Sequence, residues 1–175
     1  MSCPRPGFIH ETAVIGSPPE HRDWESGLGA GLVIDSTAQI NAFCTVDRGF
    51  ERHTLIGAHA FLMAHCHVGH DAHIGADVEL AAGCIIAGHV VIENGARLGV
   101  NVCVKPRIRI GAGARIGAGA VVVKDVPAGE TWVGNPAREI TAAKSDMAIW
   151  ADAYPSSLDL LRAALDEEEA RAQSV

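Results

Sequence analysis

The chain has 175 residues, 48% of them apolar but only 5% aromatic, with 19 glycines and a formal net charge of −7. That charge excludes a general nucleic-acid surface. Every long apolar stretch is broken by Gly, His or charge, too short to span a membrane. A core lacking aromatics must be narrow and filled by medium and small side chains.

The start, MSCPRPGFIHE, has no basic flank leading into an apolar run, so no secretory signal is expected. The five cysteines form no CxxC pair and read as free thiols, which makes the cytoplasm the expected compartment. Ile9 and Ile15 open a pattern that resumes, after the loop Ser17–Gly27, at Leu28, Ile34, Ile40 and Val46. The next step, to Ile56, is ten residues rather than six, so four extra residues bulge out within Asp47–Leu55. From Ile56 the pattern is strict: Leu62, Val68, Ile74, Leu80, Ile86, Ile92, Leu98, Val104, Ile110, Ile116 and Val122 follow at intervals of six. Four residues after each stands an apolar, mostly small residue, from Ala60 and Cys66 to Ala120 and Val126.

A helix of 3.6 residues per turn would rotate such a stripe off the core, and a flat strand alternates with period two. A triangular coil with three six-residue sides satisfies the pattern. The aliphatic residue fills each side, the small one the corner, and the frequent glycine after the aliphatic position (Gly57, Gly75, Gly111) is expected to ease the turn. The expected fold is therefore all-β, a left-handed parallel β-helix of about six coils over residues 1–140. Cys44, Cys66 and Cys84 fall in one small-residue column and are expected to be core, not redox, residues. The repeat stops at Pro127, and an extended segment ETWVGNPAREI follows. Residues 141–175 form an expected helical tail with helices near Thr141–Asp152 and Ser157–Ala172.

Five histidines fall within 25 residues: His65, His67, His70, His73 and His89. None takes an inward phase, so all are expected to face outward. An imidazole beside a carboxylate suits general-base work in acyl transfer from a thioester, which needs no covalent nucleophile.

On these residues a resemblance appears. The run FLMAHCHVGHDAHIGADVELAAGCIIAGHV resembles the catalytic stretch of the UDP-N-acetylglucosamine acyltransferases of lipid A synthesis, whose His-x-x-His-Asp motif matches His67, His70 and Asp71 and whose Ala-Gly-His turn matches Ala87, Gly88 and His89. The same run, with VVVKDVPAGETWVGNPAREI, is similar to bacterial sialic-acid and bacillosamine-type sugar acetyltransferases. The resemblance implies a homotrimeric acyltransferase that takes an acyl group, acetyl above all, from CoA to an amino or hydroxyl group of a nucleotide-linked sugar. It makes His70 the general base and Asp71 its orienting partner, with His67, His89 and Asp47 at the acceptor. Gly88, Ala118, Lys124, Asn135, Pro136 and Arg138 border the cofactor. No metal is expected. Arg97, Lys105, Arg107, Arg109, Arg115, Lys124 and Arg138 gather basic charge where the CoA phosphates would lie. Lys105 and Asp47 stand where the lipid A family has His, so another acceptor than in lipid A synthesis is expected. The Asp47–Leu55 bulge and the loop Ser17–Gly27, with His21, are the segments expected to shape the acceptor site.

Two alternatives stay open on the sequence. His65 and His70 are spaced like two zinc ligands of γ-type carbonic anhydrases, with Asp47 at the third place. A non-catalytic scaffold module would also use such a coil.

Overall fold

The computed structural model describes residues 7–22, 25 and 29–140. Leu28 and the expected C-terminal helices lie outside the described residues. The six-residue period becomes a parallel β-solenoid of about six coils, with three sheets along its sides. No described residue is helical.

The first face stacks Phe8–Ile9, Gln39–Ile40, Phe61–Leu62, Glu79–Leu80, Arg97–Leu98 and Arg115–Ile116. The second stacks Val14–Ser17, Thr45–Asp47, His67–Val68, Ile85–Ile86, Cys103–Val104 and Val121–Val122. The third stacks Leu32–Ile34, Thr54–Ile56, His73–Ile74, Val91–Ile92 and Arg109–Ile110. Leu62, Leu80, Leu98 and Ile116 pair in register, one coil apart. Thr45 pairs with His67, four residues more than a coil, which locates the insertion between those two strands.

From Ala38 and Ile40 onward the inward aliphatic column and the corner column are buried, including Cys44, Cys66 and Cys84, whereas in the first coils Ile9 is 46% exposed and Ile15 and Ile34 are half-buried. Their thiols donate to the carbonyls of Met63, Ala81 and Gly99 at 3.0, 3.2 and 3.2 Å. Burying each aliphatic side chain contributes roughly 1.5–3 kcal/mol.

The glycine after the aliphatic position does not serve the turn in the way the sequence suggested. The left-handed residue of each corner lies three places after the aliphatic one, as at His65 (φ 62°), Asp71 (60°), His89 (62°) and Arg107 (64°). Gly57 and Gly111 are required instead by close stacking. A Cβ on Gly57 would meet the Gly75 carbonyl carbon at 2.7 Å, and one on Gly111 would meet the Ala128 nitrogen at 2.4 Å.

After the last coil, Thr131–Val133 pairs with Arg115–Ile116 and turns back through a cis Asn135–Pro136 bond to pair with Arg138–Glu139. Val121 donates to the Gly134 carbonyl and accepts from Ala137 N–H, so this strap closes over the edge between the first and second faces.

Candidate active site

The site forms at the corner between the second and third faces, where the chain leaves His67–Val68 for His73–Ile74. Asp71 adopts the left-handed conformation that short polar side chains tolerate, and its carboxylate is fully buried. It lies under the four-residue insertion. The backbone N–H groups of Phe50, Glu51 and Arg52 all donate to Asp71 Oδ1, at 3.1, 2.9 and 2.6 Å. Asp71 N–H donates to Thr54 Oγ1 at 2.9 Å, and Arg52 Nε to the Asp71 carbonyl at 3.0 Å. Thr54 is buried where the next coils of this corner column carry Ala72 and Val90.

Burial is the largest influence on Asp71 and pushes its carboxyl up. The hydrogen bonds from His70, Arg52 and Glu51 together outweigh it, so the carboxyl sits below its ordinary value. It is therefore a carboxylate. Its Oδ2 is 2.6 Å from His70 Nδ1, so Nδ1 must carry the hydrogen and donate. Nε2 is left with its lone pair free. That is the tautomer a base needs.

The His70 ring lies across Gly88. A Cβ there would stand 2.7 Å from Nε2 and 2.8 Å from Cε1. Among the described residues nothing accepts a hydrogen bond from the Gly88 N–H, while its carbonyl accepts from Arg107. His89 follows, its Nε2 3.6 Å from Asp71 Oδ2 and its ring edge-on to His70 at 5.2 Å. Burial draws the His89 imidazole below its usual value against the pull of Asp71.

Other expected residues are placed around this centre. His67 is half-buried on the second face, its Nδ1 2.8 Å from Thr45 Oγ1. Asp47, two residues beyond Thr45, is 97% buried, and its Oδ2 has no hydrogen-bond partner among the described residues. His73 faces the third side, where a groove of about 600 Å³ runs along Leu55, His73 and Val91 without including His70. His65 stacks on Phe43 with ring centroids 5.0 Å apart, at the opposite end of the His67–Val68 strand. The chain thus does not unite His65, His70 and Asp47. Among the described residues, the side chains that do converge closely enough to share an ion are His70, Asp71 and His89. In that trio Asp71 Oδ1 is already taken by three amides and Oδ2 by His70, which suits an orienting carboxylate better than a ligand.

The expected cofactor residues separate within one chain. Gly88 and Lys124 belong to the His70 corner, with exposed Lys105 and Arg107 between them. Ala118, Asn135, Pro136 and Arg138 are exposed along the opposite edge of the second face, where the strap crosses. Of the basic residues, Arg97 pairs with Glu79 at 3.5 Å and Arg109 pairs with Glu93, so these two balance charge locally.

The supporting roles of Phe50, Arg52 and Thr54 were not assigned from the sequence. Two signals pointed there: the four-residue insertion one coil before His70-Asp71, and a hydroxyl in an otherwise apolar corner column. His21, expected only to shape the acceptor site, stacks on Phe50 at 4.9 Å and meets the His70 ring edge-on at 5.7 Å.

The family model described as bacterial transferase hexapeptide (six repeats) matches residues 53–88 and 89–124, the same coils that carry His70, Asp71, Gly88 and His89. Residues 53–124 belong to the hexapeptide-repeat family. Among its relatives, a UDP-3-O-acylglucosamine N-acyltransferase of Caulobacter sp. (strain K31) is 37% identical over 146 residues, covering 75% of this chain and 41% of the relative. The solved LpxA of Acinetobacter baumannii superposes with a TM-score of 0.75 at 28% identity, over 81% of this chain and 56% of that one. A perosamine N-acetyltransferase from Caulobacter crescentus, solved with CoA and GDP-perosamine, superposes with a TM-score of 0.51 at 27% identity, over 78% of this chain and 57% of that one. This hexapeptide-repeat chain spans 31–41% of the length of the first curated relatives it matches.

Proposed function

We propose that this hexapeptide-repeat protein is an acyltransferase that moves an acyl group, acetyl above all, from CoA to an amino group of a nucleotide-linked sugar. The observation that carries this function is the relay from the Phe50–Arg52 amides through Asp71 to His70 Nδ1, which turns Nε2 toward Gly88, whose N–H has no acceptor among the described residues. Relatives named for N-acylation of sugars support the acceptor class.

In this mechanism His70 Nε2 takes a proton from the acceptor as its nitrogen attacks the thioester carbonyl. The Gly88 N–H steadies the tetrahedral oxyanion. The C–S bond then breaks, and the thiolate leaves with the proton returned by His70. Asp71 holds the ring's tautomer and stabilises the imidazolium. Lys105, Arg107 and Lys124, exposed along the same corner, suit the anionic phosphates of the donor.

A homotrimer fits the exposed columns. Val14, Thr45, His67, Ile85, Cys103 and Val121 give the second face an outward row with no formally charged carboxylate, Lys or Arg, with Val14 55% and Ile85 42% exposed. The first face, by contrast, displays Glu79, Arg97 and Arg115. Packing of copies through the second and third faces is also the way to bring the Asn135–Arg138 strap of one copy toward the His70 corner of another. No described helix is long and apolar enough to cross a membrane. The free thiols of Cys44, Cys66, Cys84 and Cys103 suit a reducing compartment such as the cytoplasm.

The test is thiol release from acetyl-CoA with a panel of UDP- and GDP-linked aminosugars. Wild-type protein is expected to release thiol with at least one of them, and His70→Ala to release none while keeping its circular-dichroism spectrum. Near-normal turnover by His70→Ala would remove the base assignment.

A further inference from the structure

Asp47 is a buried carboxyl left unfinished by the described residues around it. It ends the strand Thr45–Asp47, paired with Ser17, and is 97% buried. Oδ2 has no hydrogen-bond partner among the described residues, although a lone buried acceptor costs about 1–3 kcal/mol. The groups that act on it identify its surroundings. Burial pushes its carboxyl up, the charge of Glu20 adds to that, and the imidazoles of His67 and His70 and the Glu20 backbone N–H work the other way. The carboxyl groups of Asp47 and Glu20 thus act on one another in a place where His67 and His70 are also felt. Their segment continues into His21, whose ring lies against His70.

Like charges brought together beside a base define the partner that would complete them, which is a cation carrying several N–H donors. An amine acceptor arrives as an ammonium and satisfies that requirement; a hydroxyl acceptor brings one donor and no charge. We propose that Asp47, assisted by Glu20, seats the ammonium of the acceptor and thereby commits this site to N-acylation rather than O-acylation. This rests on the acyltransferase function proposed above. The protons balance through His70. One leaves the ammonium to give the free amine and is passed to solvent. The second leaves the nitrogen as the N–C bond forms, and goes to the thiolate as the C–S bond breaks. The overall change is ammonium plus thioester to amide, thiol and one released proton. Because Oδ2 is buried, an ammonium seated on it meets little competing solvent, and the contact is strong for that reason.

Asp47→Asn keeps the shape and removes the charge. It is expected to raise KM for UDP-glucosamine at least about tenfold with little change in kcat, while leaving the affinity for UDP-glucose, measured by calorimetry, unchanged. Glu20→Gln, on a more exposed residue, should give a smaller shift in the same direction. Equal losses toward both sugars, or none toward either, would overturn the assignment while leaving the acyltransferase function standing. A wild-type protein that acylates no amine overturns the functional assignment itself. Should Asp47→Asn fail to fold by circular dichroism, the wild type decides: tighter binding of UDP-glucosamine than of UDP-glucose supports the seat, and equal binding removes it.

Discussion

The Nε2 end of the His70 ring lies against Gly88, so close that a methyl group on its α-carbon would sit 2.7 Å from Nε2. The ring cannot yield freely, because Nδ1 is held by Asp71 at 2.6 Å. Gly88→Ala should therefore displace the base without disturbing the coil, and acyl transfer should fall by about a hundredfold or more. Steady-state kinetics beside a thermal melt checks this. A large loss of Tm with proportionate loss of activity would point to misfolding instead.

Asp71→Asn and Asp71→Ala separate orientation from support. The Asn variant keeps an oxygen for the Phe50, Glu51 and Arg52 amides but turns an NH2 toward His70 Nδ1, imposing the wrong tautomer. Turnover should drop by roughly 10²–10⁴ with modest destabilisation. The Ala variant strands three amide donors beneath the loop and should cost about 3 kcal/mol or more in urea unfolding. Equal stability of the two variants would contradict the role given to the insertion.

Stability should also depend on pH through Asp71. Its folded carboxyl lies below the unfolded value of about 3.9. The sign follows: its stabilisation is complete above that unfolded value and is lost as pH falls through the lower, folded one. Urea unfolding between neutral and acidic pH should show wild type losing its advantage over Asp71→Asn at the acid end. A constant difference across the range would show that Asp71 is not held as a carboxylate by its fold.

The cysteines give a packing test. In a Cys3→Ser background, Cys103, the exposed one of the four described cysteines, should react with a thiol reagent in the folded monomeric coil. Cys44, Cys66 and Cys84 should react only on unfolding. If the second face is buried between copies, Cys103 should be slowed as well. Ile85→Asp should restore its labelling while reducing the mass measured by light scattering to that of one chain. An unaltered mass would argue against assembly through this face.

Periodicity alone determined the solenoid. Each aliphatic residue and each small one four places later meets its counterpart one coil away, so a local pattern repeated often enough specifies its own neighbours. His70 and Asp71 were picked out by the resemblance of their motif to known acyltransferases, while the period said only that the histidine takes no inward phase. What the period could not give was anything that depends on departures from it. The insertion after Asp47 was visible, but only the folded chain turned its amides onto Asp71, since that contact joins residues about twenty apart through backbone N–H groups that carry no sequence signal. The same holds for Gly88 beneath His70, for His21 against that ring, and for the strap on the far edge from Lys124. The expected role of the glycines changed because close approach between coils, unlike φ, is a property of stacking. Repetition wrote the scaffold into the sequence, and the irregular segments laid across it, through contacts made only in three dimensions, built the site.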